Sequence, residues 1–223
     1  MEIIKNYDLV MTFDTETTGL DAKKCDIIEF AGIVKDNRNG DLFEIGEFVK
    51  LDEGEKIPAK ITEITHITDA MLAQEGIARQ ELADRLANLL ESTDKILLVA
   101  HNIQFDIGFM ISFFNKTGHA GVLQNVDLLD TLTIYKDRAE FPHRLSNAIE
   151  HYGLTNKFEN SHRAIDDVRA TRAVMVEMIK ERNDLSKYIN LVGYNPKYGI
   201  SGQRFHEVHY KPQPYNSTQP LYL

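Results

Sequence analysis

The stretch YDLVMTFDTETTG, residues 7–19, decides how the rest of the chain is read. Its first half is apolar and predicts a buried strand ending at Asp14. Glu16 follows one residue beyond Thr15. In extended backbone, residues i and i+2 point to the same side, so two carboxylates emerge together from a strongly hydrophobic region. Outward from this strand, DIIEFAGIVKD (26–36) and DLFEIGEFVKL (41–51) predict a second and third strand, joined through the turn signal NRNG as an antiparallel meander. From Pro58 to Glu91 the pattern is helical, first in PAKITEITHITDAMLAQ and then in the amphipathic ARQELADRLANLLES. KILLVA (95–100) predicts a fourth strand buried on both faces. A helix from about Gln104, a short strand around Val126, helices from about Thr131 and Arg144, and a longer one beginning near His162 complete the pattern. Strands first and then strands alternating with helices predict an α/β fold, a mixed sheet of antiparallel meander plus parallel strands flanked by helices.

The length, 223 residues with 43% hydrophobic, suits one substantial domain with an appendage. A soft boundary falls near residue 183. Residues 1–183 carry the periodic pattern, and 184–223 form an extension rich in Tyr, Gly, Pro and Asn with a net charge of +2. The whole chain carries −9, which disfavours non-specific wrapping of nucleic acid. Local engagement of a strand stays open, because carboxylates that hold metal stop repelling phosphate once occupied. A single cysteine, Cys25, excludes an internal disulfide and fits a reducing compartment. No basic leader followed by a long apolar run opens the sequence, and no run approaches the ~20 apolar residues that span a bilayer. The expectation is a soluble cytoplasmic protein without a membrane partner.

Two further carboxylates break the helical periodicity. On a wheel of the helix after Gln104, Phe105, Phe109, Met110 and Phe113 share one broad apolar arc, and Asp106 lies in its middle. On the helix after His162, Val168, Val174, Met175 and Met178 define the core face; Asp167 falls inside it, whereas Asp166 falls on the solvent side with Arg169. Taken singly, each acid has a plain structural reading: Asp14 and Glu16 satisfied by turn amides, Asp106 and Asp167 as first-turn helix acids. Together they are four carboxylates aimed at the interior. Two such charges ~4 Å apart repel by about 4 kcal/mol at an effective dielectric of ~20. The set must protonate, pair with cations or hold divalent metal, and Arg172, near the edge of the second arc, is placed to serve one member at most. All-oxygen donors suit Mg²⁺ or Mn²⁺ rather than Zn²⁺. Two such ions about 3.5–4 Å apart suit in-line phosphodiester hydrolysis. His162, five residues before Asp167, would lie about 140° away on a continuous helix, so it belongs to the preceding turn. There an imidazole titrating near 6.5 suits a general base.

FDTETTG, AHNIQFDIGFM and HRAIDDV, in this order and spacing, resemble the three signature segments of the DEDDh 3′→5′ exonucleases, a family that includes the proofreading subunit or domain of bacterial replicative DNA polymerases. THITDAML and HRLSNAIEHYGL also look like family segments, and the resemblance covers about residues 8–182. It implies a ribonuclease H-like fold, two Mg²⁺ or Mn²⁺ ions, and release of nucleoside monophosphates from a single-stranded 3′ end. Carried over, Asp14, Glu16, Asp106 and Asp167 are metal ligands and His162 the general base. Thr17 and Thr18 hold the terminal nucleotide, Leu20 packs on a base, and His66 and Asn102 contact substrate or serve as turn residues. DNA proofreading, RNA 3′-end trimming, and a non-catalytic subunit that recruits a polymerase or sliding clamp are the readings left open. QPLYL at 219–223 faintly resembles clamp-docking peptides, and the tyrosines of the extension are expected to dock onto the domain.

Overall fold

The first strand lies at the centre of a five-stranded sheet. The computed structural model describes residues 2–158, 163–195, 199–200 and 202–211. After a one-turn helix, α1 (Glu2–Lys5), come β1 (Leu9–Thr17), β2 (Ile27–Asp36) and β3 (Leu42–Phe48). Three helices follow, α2 (Ala59–Thr65), α3 (Asp69–Glu75) and α4 (Arg79–Leu90), and then β4 (Ile96–Ala100), α5 (Ile103–Lys116), β5 (Val126–Asp130), α6 (Thr131–Arg138), α7 (Leu145–His151) and α8 (Ala164–Glu181). The strand order is β3-β2-β1-β4-β5. The meander β1–β2–β3 is antiparallel, and β1, β4 and β5 run parallel. This is the mixed, helix-flanked sheet expected.

Alternation along the strands divides the core in two. Leu9, Met11 and Phe13 of β1 and Ile96, Leu98 and Ala100 of β4 pack with α4 and α5. Val10, Leu97 and Val99 point the other way, onto α6, α7 and α8. A strand such as β4 reads as an unbroken apolar run because both its faces are covered. Beyond α8, a short 3-10 helix (Leu185–Lys187) and the pair β6 (Tyr194–Asn195) and β7 (Gly199–Ile200) follow. Leu185, Tyr188, Leu191 and Tyr194 are buried in the α6–α8 cluster, and Val192 and Val208 in the α4–α5 cluster. The buried Tyr188 hydroxyl donates to Asp137 at 2.7 Å, as an interior phenol must find a partner.

The short α1, the 3-10 helix and the pair β6–β7 were not expected from the sequence, and two of the expected elements have different bounds. β1 does not end at Asp14 but continues to Thr17, because β2 pairs with it past the acids, Asp14 opposite Ala31 and Glu16 opposite Glu29, before the register shifts after Glu16. The carboxylates are therefore held by sheet backbone rather than by a loop. The helical stretch from Pro58 is also broken: His66 closes α2 in a left-handed conformation (φ 59°), and Thr68 starts α3 by accepting the Met71 N–H at 3.2 Å. No described helix is long and apolar enough to cross a membrane.

Candidate active site

Even-numbered β1 residues share the face of Val10, the face covered by α8, so Asp14 and Glu16 look toward that helix. α8 begins on β2, where Ala164 and Val168 pack on Ala31 and Ile33, and this delivers Asp167, in its first turn, to the two strand acids. Carboxylate oxygens of Asp14, Glu16 and Asp167 all lie within 4.8 Å of one another. Asp166, one residue earlier, turns outward to Arg169 at 3.3 Å. Helical periodicity had separated these two neighbours on the same grounds.

Asp106 arrives from the other layer. α5 packs on the odd-numbered face of β1, and the Asp106 carboxylate accepts both the Thr15 N–H (3.1 Å) and the Thr15 hydroxyl (2.8 Å). It is 3% exposed. The three-carboxylate cluster and Asp106 thus approach the end of β1 from opposite sides of the sheet. His162 lies outside the described residues, as does the QPLYL segment.

Electrostatics follow from this crowding. Burial, then Asp106, Asp167, Glu16 and Glu29 in turn, push the Asp14 carboxyl well above its usual range. Burial first, then Asp167, Glu29 and Asp106, push Glu16 up to about 8, against a smaller opposing pull from Arg163. Burial pushes Asp106 up to about 7, although the two bonds from Thr15 hold it down. A group of acids that resist ionising together is the donor set a hard divalent cation relieves. The residues present therefore fit such an ion.

Sequence reasoning missed one member of this neighbourhood. Glu29 is 4% exposed and stands directly across from Glu16. Like charges in that position destabilise a sheet, and here a cation paired with Glu29 offsets part of the repulsion. Arg163 donates to Glu29 through Nη2 (2.9 Å) and Nε (3.2 Å), with its guanidinium over the Phe48 ring, and the Ala164 N–H donates to the same carboxylate at 3.2 Å. Glu29 thereby caps α8 from a neighbouring strand. The cation beside the cluster is Arg163; Arg172 instead lines a groove beside Phe43 and Leu154. A lone charge inside the otherwise apolar DIIEFAGIV was the available signal.

Thr17, Thr18, Leu20 and Asn102 lie at the same end of the sheet, and Ile67, the neighbour of His66, packs on Ile28 at the start of β2. Thr17 donates its hydroxyl to Gly19 O (2.7 Å), and Thr18 accepts the Asp26 N–H on its hydroxyl (2.9 Å) while its own N–H donates to Asp26 O. These bonds brace the loop that holds Leu20 87% exposed. His66 and Asn102 are both exposed and left-handed, φ 59° and 73°. Asn102 follows the carboxyl end of β4, which runs parallel to β1 and ends at the same edge. Ligand sites in open α/β sheets gather at such edges.

A sheet edge with this nest of acids supports metal-assisted phosphoryl chemistry, the work of a nuclease. The model of the exonuclease family RNase_T matches residues 11–175, and the chain belongs to that family. It is 32% identical over 195 residues to the PolC-type DNA polymerase III of Clostridium perfringens, an alignment covering 86% of this chain and 12% of that protein. To the Mycoplasma pneumoniae counterpart it is 36% identical over 183 residues, covering 80% and 12%. The chain thus spans about an eighth of the length of these relatives. Among solved structures, Escherichia coli exonuclease I in complex with a dA16 oligonucleotide superposes with a TM-score of 0.68 at 20% identity, over 85% of this chain and 44% of that one. Exonuclease I of Methylocaldum szegediense gives 0.66 at 22%, over 79% and 41%. These likenesses establish the fold.

Proposed function

We propose that this protein removes nucleotides one at a time from the 3′ end of single-stranded DNA, releasing nucleoside monophosphates, with two Mg²⁺ or Mn²⁺ ions as cofactors. The carrying observation is the convergence of Asp14, Glu16 and Asp167 oxygens within 4.8 Å at a sheet edge. These three residues would hold one ion, and Asp14 with Asp106 would serve a second. Bound there, divalent ions acidify water and offset the charge that develops around phosphorus. His162 takes the proton from the attacking water. Leu20 packs on the terminal base, Thr17 and Thr18 hold its nucleotide through their backbone, and His66 and Asn102 bond the sugar-phosphate. DNA is favoured because PolC-type relatives are DNA polymerases and the exonuclease I neighbour carries a deoxyoligonucleotide. Proofreading beside a polymerase is the corresponding task.

The test is a product assay on 5′-labelled single- and double-stranded DNA and RNA, with Mg²⁺, Mn²⁺ or chelator. Stepwise shortening of single-stranded DNA from an unblocked 3′ end is expected, abolished by chelator and reduced about 10³-fold by Asp14→Asn. His162→Ala lowers kcat more than it raises KM. Faster shortening of RNA than DNA would reassign the substrate. Inertness toward both would overturn the proposal.

A further inference from the structure

Three non-glycine residues among those described have positive φ: His66, Asn102 and Asn190. Such a conformation costs of order 1 kcal/mol and persists only where neighbours enforce it. Asn190 is accounted for by its own side chain, which accepts the Leu128 N–H at 2.8 Å and donates to Asp127 at 2.6 Å. The Asn102 side chain makes no capping bond although it stands at the N-cap of α5, and the residue is exposed. Something other than its carboxamide holds it left-handed.

That something is Asp130, 2% exposed, at the end of β5 opposite Ala100. Its Oδ1 accepts the Asn102 N–H at 2.9 Å and the Leu132 N–H at 3.0 Å, and its Oδ2 accepts the Thr133 hydroxyl at 3.1 Å. The preceding residue is pinned by the same junction: His101 Nδ1 lies 3.0 Å from the Thr131 hydroxyl and Nε2 lies 3.1 Å from His143 O. The elbow between β4 and α5 is therefore clamped from β5 and α6, and the one side chain it releases to solvent is Asn102. We infer that Asp130 is a positioning residue for substrate: it locks the Asn102 backbone left-handed so that the carboxamide is presented, already ordered, to the sugar-phosphate of the 3′-terminal nucleotide. A group held in place beforehand spares the substrate the entropy of ordering it. Asp130 also caps α6, which lets one buried carboxylate tie the end of the sheet to the binding surface. The inference rests on the proposed exonuclease reading and on Asn102 touching substrate.

The test separates capping from positioning. Asp130→Ser keeps a good N-cap for α6, but its hydroxyl is one bond shorter and does not also reach Asn102 N–H. It should retain the melting temperature within about 3 °C and raise KM for a single-stranded oligodeoxynucleotide about three- to tenfold, the loss of about one hydrogen bond, with kcat within about twofold. Asp130→Asn keeps the Oδ1 acceptor and restores KM. Asn102→Ala raises KM equally. In an Asn102→Gly background, where left-handed backbone is free, adding Asp130→Ser changes nothing further. Affinity for deoxythymidine monophosphate with Mn²⁺, read by thermal shift, follows the same pattern without turnover. A wild-type KM for Asp130→Ser overturns the inference; if that variant melts early, a wild-type KM for Asn102→Ala overturns it instead. Absence of cleavage by the unmodified protein would count against the exonuclease reading itself.

Discussion

Each carboxylate of the cluster is destabilising until something positive meets it, and this makes Asp14 a residue whose removal should strengthen the metal-free protein. Asp14→Asn deletes one of the mutually repelling charges while keeping the shape. The melting temperature without divalent ions should rise by about 2–4 °C for each ~1 kcal/mol of repulsion relieved, and the rise produced by Mn²⁺ in the unmodified protein should vanish. Differential scanning calorimetry with and without Mn²⁺ reads both. The pH dependence has the same origin. Glu16 moves from an ordinary 4.5 to about 8 on folding, through burial and its acidic neighbours. Between those values the folded chain keeps a proton that the unfolded chain has released, so raising pH through this window lowers the stability of the metal-free protein. Divalent ions compete with that proton, and their stabilisation should be small at pH 6 and grow toward pH 8.5. A Mn²⁺ shift in melting temperature that is flat across this range would contradict the buried-acid picture. Asp106 and Asp167 were legible from the sequence because helical period makes a charge on an apolar arc conspicuous. Their arrival from opposite layers was not legible, since a wheel says which way a side chain points and nothing about which face of the sheet its helix covers. Glu29 escaped because its partner, Arg163, is remote in sequence and meets it only when the start of α8 packs on β2.

Among the elements, the strands were the most legible: composition and turn residues place them closely, and alternation sorts their faces. The break between α2 and α3 was hidden because the apolar period runs on through His66–Ile67–Thr68, and what stops the helix is local hydrogen bonding. Thr68 caps α3, and Ile67 behind it is fully buried against Ile28 and Leu72. Thr68→Ala should cost about 1 kcal/mol, a fall of about 2–4 °C in melting temperature, with Mn²⁺ stabilisation unchanged because the acids sit on other elements. An unaltered melting temperature would mean that α3 is held by packing alone.

Across the whole molecule, the part read as an extension contributes to both halves of the core. Leu185, Tyr188, Leu191, Val192 and Tyr194 are each at most 1% exposed. Burying each contributes roughly 1.5–3 kcal/mol, together comparable to the 5–15 kcal/mol that holds a typical domain folded. Residues 1–183 alone should show no cooperative thermal transition, and Tyr188→Ala in the full chain should lose about 3–5 kcal/mol, measured by denaturant titration. A cooperative melt for 1–183 would show that the segment is dispensable. Docking of the tyrosines was expected from the sequence, and Tyr188 and Tyr194 do dock; which aliphatic residues join them was not legible, because Leu185, Leu191 and Val192 follow no helical or strand period.

The placement of Asp106 and Asp167 on opposite sides of β1 also bears on timing during biosynthesis. Neither helix can complete the acid nest until both have docked, and α8 docks on a surface that residues 185–194 help to seal. The five strands of the sheet are complete by Asp130, whereas Asp167 joins Asp14 and Glu16 only once α8 has packed on β2, so the scaffold precedes its chemistry along the chain.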